Sequence, residues 1–546
     1  MDRGNTGAGL RWVLALAVLL MLVSARHARG AEVVERWGIF EASFAGPADG
    51  NPFVNVTLSA TFERDGDAAG HGAEKVEVPG FYDGEGTYRV RFMPGEEGTW
   101  KYVTHSNVAA LEGKTGEFVC GKASVGDHGP VRVAHTFHFA YADGTPYVEM
   151  GTTCYYWVFQ KEAMQEQTLA TLKGAPFNKV RMFVMPVADS GVAGAGGLYP
   201  FPGSPPKGWD FTRYNPAFFQ AIEKRVGELR DMGIEADLIL FNIYDKGRWD
   251  YDRMGAENDD RWARYVVARF GAYRNVWWSL TNEFDLGKSK TDADWDRLFQ
   301  IVQTSDPYGH LRSIHHSMRL YDYGKPWVTH ASIQNGSAVE DFGRAELYRD
   351  VWNKPVVFDE VKYEGNLEKR WGQLTGEEMV ERFWQGAIAG TYVGHSEALR
   401  DASVPGGGPV WMDQGGVLKG ESPARIGFLR KVLEAGPAEG IDPIDKWQDV
   451  HTAGKAGSYY LIYFGREKPT SWRFELPKAG LTAGMKFRVE VLDTWGMTAA
   501  PAAGEFSIVA DGAYRYHATA ADGSAGAVEL PGREWMALRI TRVEGK

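Results

Sequence analysis

The spacing of apolar positions changes twice along this chain. From Val33 to about Gly121 it has period two: "FVNVTLSATFER", "TYRVRFMP", "GTWKYVTHS" and "TGEFVCG" are strand-like runs divided by glycine, proline and aspartate turns. That spacing predicts a small antiparallel sandwich. From about Gly129 to Gly440, short apolar runs alternate with segments of helical period. Strands are predicted at 147–156, 179–186, 234–241, 276–283, 311–317, 327–334, 355–363 and 391–398. Among the segments between them, 217–233 sets Phe218, Ile222, Val226 and Leu229 on one face and ends at Gly233, and 295–306 is similar. Eight strand-then-helix units over some three hundred residues predict a closed parallel barrel. A doubly wound open sheet is the alternative, but no glycine-rich fingerprint follows the first strand. Past about Asp445 period two returns in "SYYLIYFG", "KFRVEVLDTW" and "EWMALRIT".

The predicted fold class is therefore α/β: a (β/α)8 TIM barrel flanked by two β-sandwich domains. Residues 1–30 are read as a signal peptide, 31–125 as the first sandwich, 126–442 as the barrel and 443–546 as the second sandwich. The export reading rests on Arg3 and Arg11 ahead of the apolar run "WVLALAVLLMLV", followed by small residues at Ala28 and Gly30 that permit cleavage. The run is too short for a comfortable bilayer span, and no later segment is long and apolar enough. The mature chain is expected outside the cytoplasm, with no membrane attachment beyond the signal segment.

Composition narrows the chemistry. The formal net charge is −11, and loss of residues 1–30, with four arginines and one aspartate, makes it more acidic. Without basic blocks such a chain is a poor partner for nucleic acid, and a strongly anionic polysaccharide is disfavoured unless a local basic groove overrides the net charge. Aromatics make up 13%, with 19 tryptophans, which serves either core filling or flat faces for sugars. Cys120 and Cys154 are too few for a disulfide scaffold or a zinc site and are read as buried thiols.

In a parallel barrel the chemistry sits at the C-terminal ends of the strands. Strand four, "VWWSLTNE", ends in Asn282-Glu283, strand seven in Asp359-Glu360, and strand eight in His395-Ser396-Glu397. Two carboxylates facing each other across a groove are what glycosidic bond cleavage needs. Period-two alternation puts Asp359 and Glu360 on opposite sides of their strand, so only one of them should line the groove.

With Asn-Glu closing strand four and Glu closing strand seven, the sequence resembles the clan-A (β/α)8 glycoside hydrolases. "FDEVKYEGN", "RFWQGAIAGTYVGHSEAL" and "GGVLKGESPARIGFLRKVLEAG" are similar to a bacterial subgroup related to the apiosidase-like barrels, with an N-terminal immunoglobulin-like domain and a C-terminal sandwich. The resemblance implies a retaining enzyme acting on a carbohydrate. Glu283 would be the acid/base, Glu360 the nucleophile, and Asn282 the holder of the sugar 2-hydroxyl. The two carboxyl groups would lie about 5–5.5 Å apart. This mechanism asks for a protonated Glu283 and an ionised Glu360 near neutral pH.

Other strand ends supply candidate substrate contacts: Tyr155 and Trp157 after strand one, Arg181 on strand two, Asn242 and Tyr244 after strand three, His316 after strand five (or its neighbour His315), His330 on strand six, and Glu397 and Trp411 around strand eight. Arg181 would orient the nucleophile or serve a structural ion pair. Trp277 and Trp278 are expected in the core. The histidines lack HxH or HExxH spacing, so neither a metal nor another cofactor is expected. The rival readings are a non-catalytic carbohydrate-binding surface protein on a barrel scaffold and a metal-dependent hydrolase.

Overall fold

The computed structural model describes residues 32–66, 72–334, 342–446 and 451–543. The predicted signal segment lies outside them. No helix among these residues is long and apolar enough to cross a membrane.

The first seven strands are β1 (Glu32–Glu35), β2 (Phe40–Ala45), β3 (Leu58–Arg64), β4 (Glu74–Tyr82), β5 (Thr87–Phe92), β6 (Gly98–Ser106) and β7 (Thr115–Gly121). They form one sheet in the order β1-β7-β6-β3-β4-β5-β2. The sheet folds over on itself at β4. That strand pairs with β3 up to Pro79 and with β5 from Gly80 onward. A Cβ on Gly80 would fall 2.6 Å from Leu58 Cγ, so the bend needs glycine. Phe62 stacked on Phe92 and Phe40 stacked on Phe118, each pair at 4.2 Å between ring centres, fill the space the fold encloses.

A small meander of β8 (Val131–Ala134), β9 (His138–Tyr141) and β10 (Pro146–Tyr147) comes next. Its Phe139 packs at 5.1 Å against both Trp277 and Tyr392 and plugs the N-terminal floor of the barrel.

The barrel strands are β11 (Gly151–Thr153), β12 (Lys179–Phe183), β13 (Glu235–Phe241), β14 (Val276–Thr281), β15 (Arg312–Ser313), β16 (Ala331–Gln334), β17 (Val356–Glu360) and, after the short β18 (Glu364–Gly365), β19 (Tyr392–Val393). β11 to β15 form one parallel sheet and β16, β17 and β19 another. Parallel bridges between His315 and Ser332, and between Thr152 and His395, close the ring. Several strands are shorter than the apolar runs that announced them; the fifth keeps only two ladder residues.

Seven long helices follow the strands: α1 (Glu162–Gly174), α2 (Pro216–Asp231), α3 (Ala256–Phe270), α4 (Asp292–Ser305), α5 (Phe342–Trp352), α6 (Gly376–Ile388) and α7 (Ser422–Glu434). No helix follows the fifth strand. The segment from Ile314 to His330 contains Gly324 and Pro326, which break helical continuation. Half-buried Lys354 does there what a helix would do for itself, its Nζ donating to the carbonyls of Tyr323, Lys325 and Val328 at 2.7–2.8 Å.

Trp277 and Trp278 are 1% and 0% exposed. Trp277 Nε1 donates to Glu235 Oε2 and Trp278 Nε1 to Asp306 Oδ2, each at 3.0 Å. The barrel interior is ionic as well as aromatic. Lys179 Nζ lies 2.9 Å from both Glu149 Oε1 and Asp359 Oδ1, and Arg181 Nη1 lies 2.9 Å from Asp237 Oδ2. Burial pushes the Glu149 carboxyl up to about 7, while Lys179 and Arg181 hold Asp359 well below the usual carboxylate range against the opposing effect of its own burial.

A second curled sheet, of nine strands between Asp442 and Arg542, follows the barrel, with Trp472 and Val528 paired in a two-stranded flap. Cys120 and Cys154 are buried and free.

Candidate active site

Strand β14 carries the apolar residues Val276, Trp277, Trp278 and Leu280 into the core and stops at Thr281. Asn282 and Glu283 then turn over the barrel mouth. Glu283 adopts φ 47°, ψ 51°, the left-handed region that few non-glycine residues occupy. The turn is held by the Phe284 amide, which donates to the carbonyl of His315 at 2.9 Å. Strain of this kind persists only where surrounding bonds over-determine it, and it concentrates at functional sites.

Across the mouth, β17 delivers Glu360. Alternation alone would turn it away from the groove. Ser332 pairs with Val357 but Gln334 pairs with Glu360, so three steps along β17 oppose two along β16. The extra residue is a β-bulge, which resets the alternation. Asp359 stays inside the barrel on Lys179, and Glu360 also points inward, into the cleft. Of the pair, Glu360 lines the cleft and Asp359 does not, although both face the barrel interior.

Glu283 and Glu360 line one cleft of about 890 Å3 with Tyr155, Tyr244, Asn282 and His316. A relay of hydrogen bonds ties the carboxylates together. Tyr244 Oη donates to Glu283 Oε2 at 2.6 Å, Asn282 Nδ2 donates to Tyr244 Oη at 2.8 Å, and the same amide donates to Glu360 Oε1 at 3.1 Å. The Tyr155 hydroxyl also donates to Glu360 Oε1. Arg181 Nη2 donates to Asn282 Oδ1 at 3.0 Å and so fixes which way the amide faces.

Burial pushes the Glu360 carboxyl up to about 7, and the nearby charge of Glu283 acts in the same direction. Tyr155, Arg181 and Asn282 oppose the rise. The sequence argument asked for an ionised Glu360 near neutrality; its buried position works against that.

Six of the predicted contacts do not line the cleft. Arg181 is buried beneath it, where it acts on Asn282 rather than directly on Glu360. Asn242 turns into the backbone, accepting from the Tyr244 amide and donating to the Met185 carbonyl. Trp157 packs in the core with its Nε1 on Met182 Sδ at 3.3 Å. Trp411 Nε1 donates to Thr152 Oγ1 at 3.0 Å inside the wall. His330 lies near the floor, 5.3 Å from the Trp277 ring. Glu397 accepts from the amides of Lys419 and Gly420. Each is a polar or aromatic side chain whose partner is internal, which strand-end position alone does not reveal.

Residues on the loop after strand seven were missed, but both histidines after strand five approach the site: His315 Nε2 lies 3.7 Å from Glu360 Oε1, and its Nδ1 is 2.9 Å from Ser332 Oγ. Burial drives this imidazole well below its usual range, so it is neutral. Tyr363 reaches Glu360, and Tyr156, Gln334, Lys362, Trp371 and Asp413 complete the walls. "VKYEG" and "KRWG" follow strand seven closely in sequence, so their place on a loop after a strand end carrying a candidate carboxylate was the available signal.

The chain is similar in sequence and fold to known proteins. The family model "Apiosidase-like, catalytic domain" matches residues 134–396. Two models described as domains of unknown function, DUF5060 and DUF5605, match residues 33–107 and 447–541. A protein of Bacteroides vulgatus ATCC 8482, assigned to the glycoside hydrolases, is 41% identical with a TM-score of 0.87. The match covers 94% of this chain and 100% of that one. A glycoside hydrolase family 5 protein of the same organism shares the fold, at 15% identity and a TM-score of 0.57 over 76% of this chain and 94% of its own. No curated protein sequence matches.

Proposed function

We propose that this chain, which belongs to the glycoside hydrolases with an apiosidase-like catalytic domain, cleaves a poly- or oligosaccharide outside the cytoplasm by a retaining two-carboxylate mechanism. The observation that carries the reading is the relay joining Glu283 through Tyr244 and Asn282 to Glu360 in one cleft. Glu360 attacks the anomeric carbon while Glu283 gives its proton to the departing glycosidic oxygen. The glycosyl–Glu360 ester is then opened by water that Glu283 deprotonates. Asn282, bonded to Glu360, would bind the 2-hydroxyl beside the nucleophile. Tyr155 donates to Glu360 and favours its charged form. Trp371, 39% exposed on the cleft wall, offers an apolar face to a sugar ring.

The reaction stereochemistry tests this. A glycan panel identifies a cleaved substrate, and proton NMR of the first product formed should show the anomer of the starting linkage. An activated 2-fluoro glycoside of the same sugar should label Glu360, located by peptide mass spectrometry. A product of opposite configuration would overturn the retaining assignment, and a label on another carboxylate would move the nucleophile.

The second reading, a binder without turnover, requires no ionisable pair to be coupled. The effect of Glu283 on Glu360 favours the enzyme.

A further inference from the structure

Beyond the cleft, the loops after strands seven and eight hold a second cluster. β18 pairs in parallel with β20 (Glu397–Ala398), and Glu364 stands directly opposite Glu397 in that register. Both carboxylates are buried, at 4% and 1% exposure, and His395, at 0%, lies beside them. One potential ligand atom from each of the three falls within 4.8 Å of the others. We propose that Glu364, His395 and Glu397 bind one divalent transition-metal ion, with Zn2+ the best match to the donors, which pins these two loops to the barrel. The ion was not expected from the sequence, because Glu364 comes from a different loop from His395 and Glu397.

The argument is one of charge and of an unused lone pair. The carboxylate oxygens accept from the backbone amides of Lys419, Gly420, Glu421 and Ser422 and from the Ser422 hydroxyl. These amides lead into α7, whose N-terminus supplies roughly half a unit of positive charge. Two facing carboxylates carry four times that. Among the described residues, neither carboxylate has an ion pair within 4.0 Å. Buried charges are otherwise paired or coordinate metals.

The imidazole points to the same conclusion. His395 Nδ1 sits 3.0 Å from Thr152 Oγ1 and its ring stacks on Phe177, while Nε2 is buried without a hydrogen-bond partner. When Nδ1–H donates to Thr152 Oγ1, the free Nε2 lone pair becomes a ligand whose orientation is fixed by its other nitrogen. An imidazole with two carboxylates suits zinc better than calcium or magnesium, which favour all-oxygen shells. Gly420 leaves the needed room, since a Cβ there would fall 2.4 Å from Glu364 Oε2 and 2.6 Å from Glu397 Oε2.

The test uses the full chain, expressed with zinc in the medium and passed through metal-free gel filtration. Elemental analysis should find about one zinc per chain. Stripping with a chelator should lower Tm by about 5 °C, and adding back Zn2+ should restore it. Cobalt-loaded protein should show visible d–d bands, and copper-loaded protein an electron spin-echo pattern from one imidazole nitrogen. His395→Gln and Glu397→Gln should each lose the zinc. A folded wild-type chain without metal, and with no Tm response to Zn2+, Mn2+ or Co2+, would overturn the proposal. So would undiminished zinc in both variants. If the variants do not fold, wild-type metal content and the imidazole signature decide.

Discussion

Tyr244 Oη donates a hydrogen bond to Glu283 at 2.6 Å and accepts one from Asn282 at 2.8 Å, so one phenol oxygen links Glu283 to the amide that reaches Glu360, the two carboxylates of the proposed mechanism. Its position sets where Glu283 stands relative to Glu360. Tyr244→Phe should lower kcat tenfold to a hundredfold, the usual effect of slack in a positioned group, with KM nearly unchanged. An unchanged kcat would remove the relay from the mechanism.

Replacing each carboxylate should have a different signature. Glu360→Gln should abolish turnover on every substrate while leaving the fold intact. Glu283→Gln should cost about 10²–10⁴ in rate on a natural glycoside and far less on an aryl glycoside whose leaving group needs no proton. Equal losses on both substrates would contradict the acid role.

The pH dependence follows from Glu360. Its pKa is pushed up to about 7, and attack requires the ionised form, so kcat/KM should rise with pH along a limb near 7. Tyr155 is one of the groups that hold this pKa down. Tyr155→Phe should shift the limb toward higher pH by roughly one unit, the equivalent of one hydrogen bond to a charged group. A shift toward lower pH would refute the electrostatic account.

Stability should change with pH for the same reason. Glu360 keeps its proton in the fold up to about 7, whereas unfolded glutamate loses it near 4.5. The folded state therefore binds more protons between these values, and its stability falls as pH rises through them. Glu360→Gln removes that loss. Urea unfolding should show the variant level with wild type below pH 4 and more stable above pH 7 by about 1–3 kcal/mol. A constant difference across that range would count against the shift.

Beneath the cleft, Arg181→Met leaves Asp237 and Asp359 short of a buried cation and frees the Asn282 amide. Such a change costs about 3–5 kcal/mol. Chemical denaturation of the barrel would register it, and a change under 1 kcal/mol would mean the pair is solvated.

The sequence disclosed the parts of this site that local pattern controls. Strand four is announced by four apolar residues, and Asn282 and Glu283 fall where the run stops. Strand seven likewise ends at Glu360. Depth and direction were not legible. Arg181, Asn242, Trp157, Trp411, His330 and Glu397 all lie at or near strand ends, yet each is bonded or packed inward by a partner far away in sequence. His315 and His316 are adjacent and both approach the groove because their strand has only two ladder residues before the chain turns. The helix missing after the fifth strand was hidden in the same way, since its carbonyls are satisfied by Lys354 from another segment.

The bulge in β17 lets strand seven serve the ring and the reaction at once. Strike out one residue there, Phe358 for instance, and a realigned ladder keeps Glu360 opposite Gln334 but turns Asp359 to the outer face, away from Lys179. Such a deletion variant would keep its attacking oxygen and lose the buried ion pair beneath it. The one extra residue is what lets two consecutive acids share the same interior.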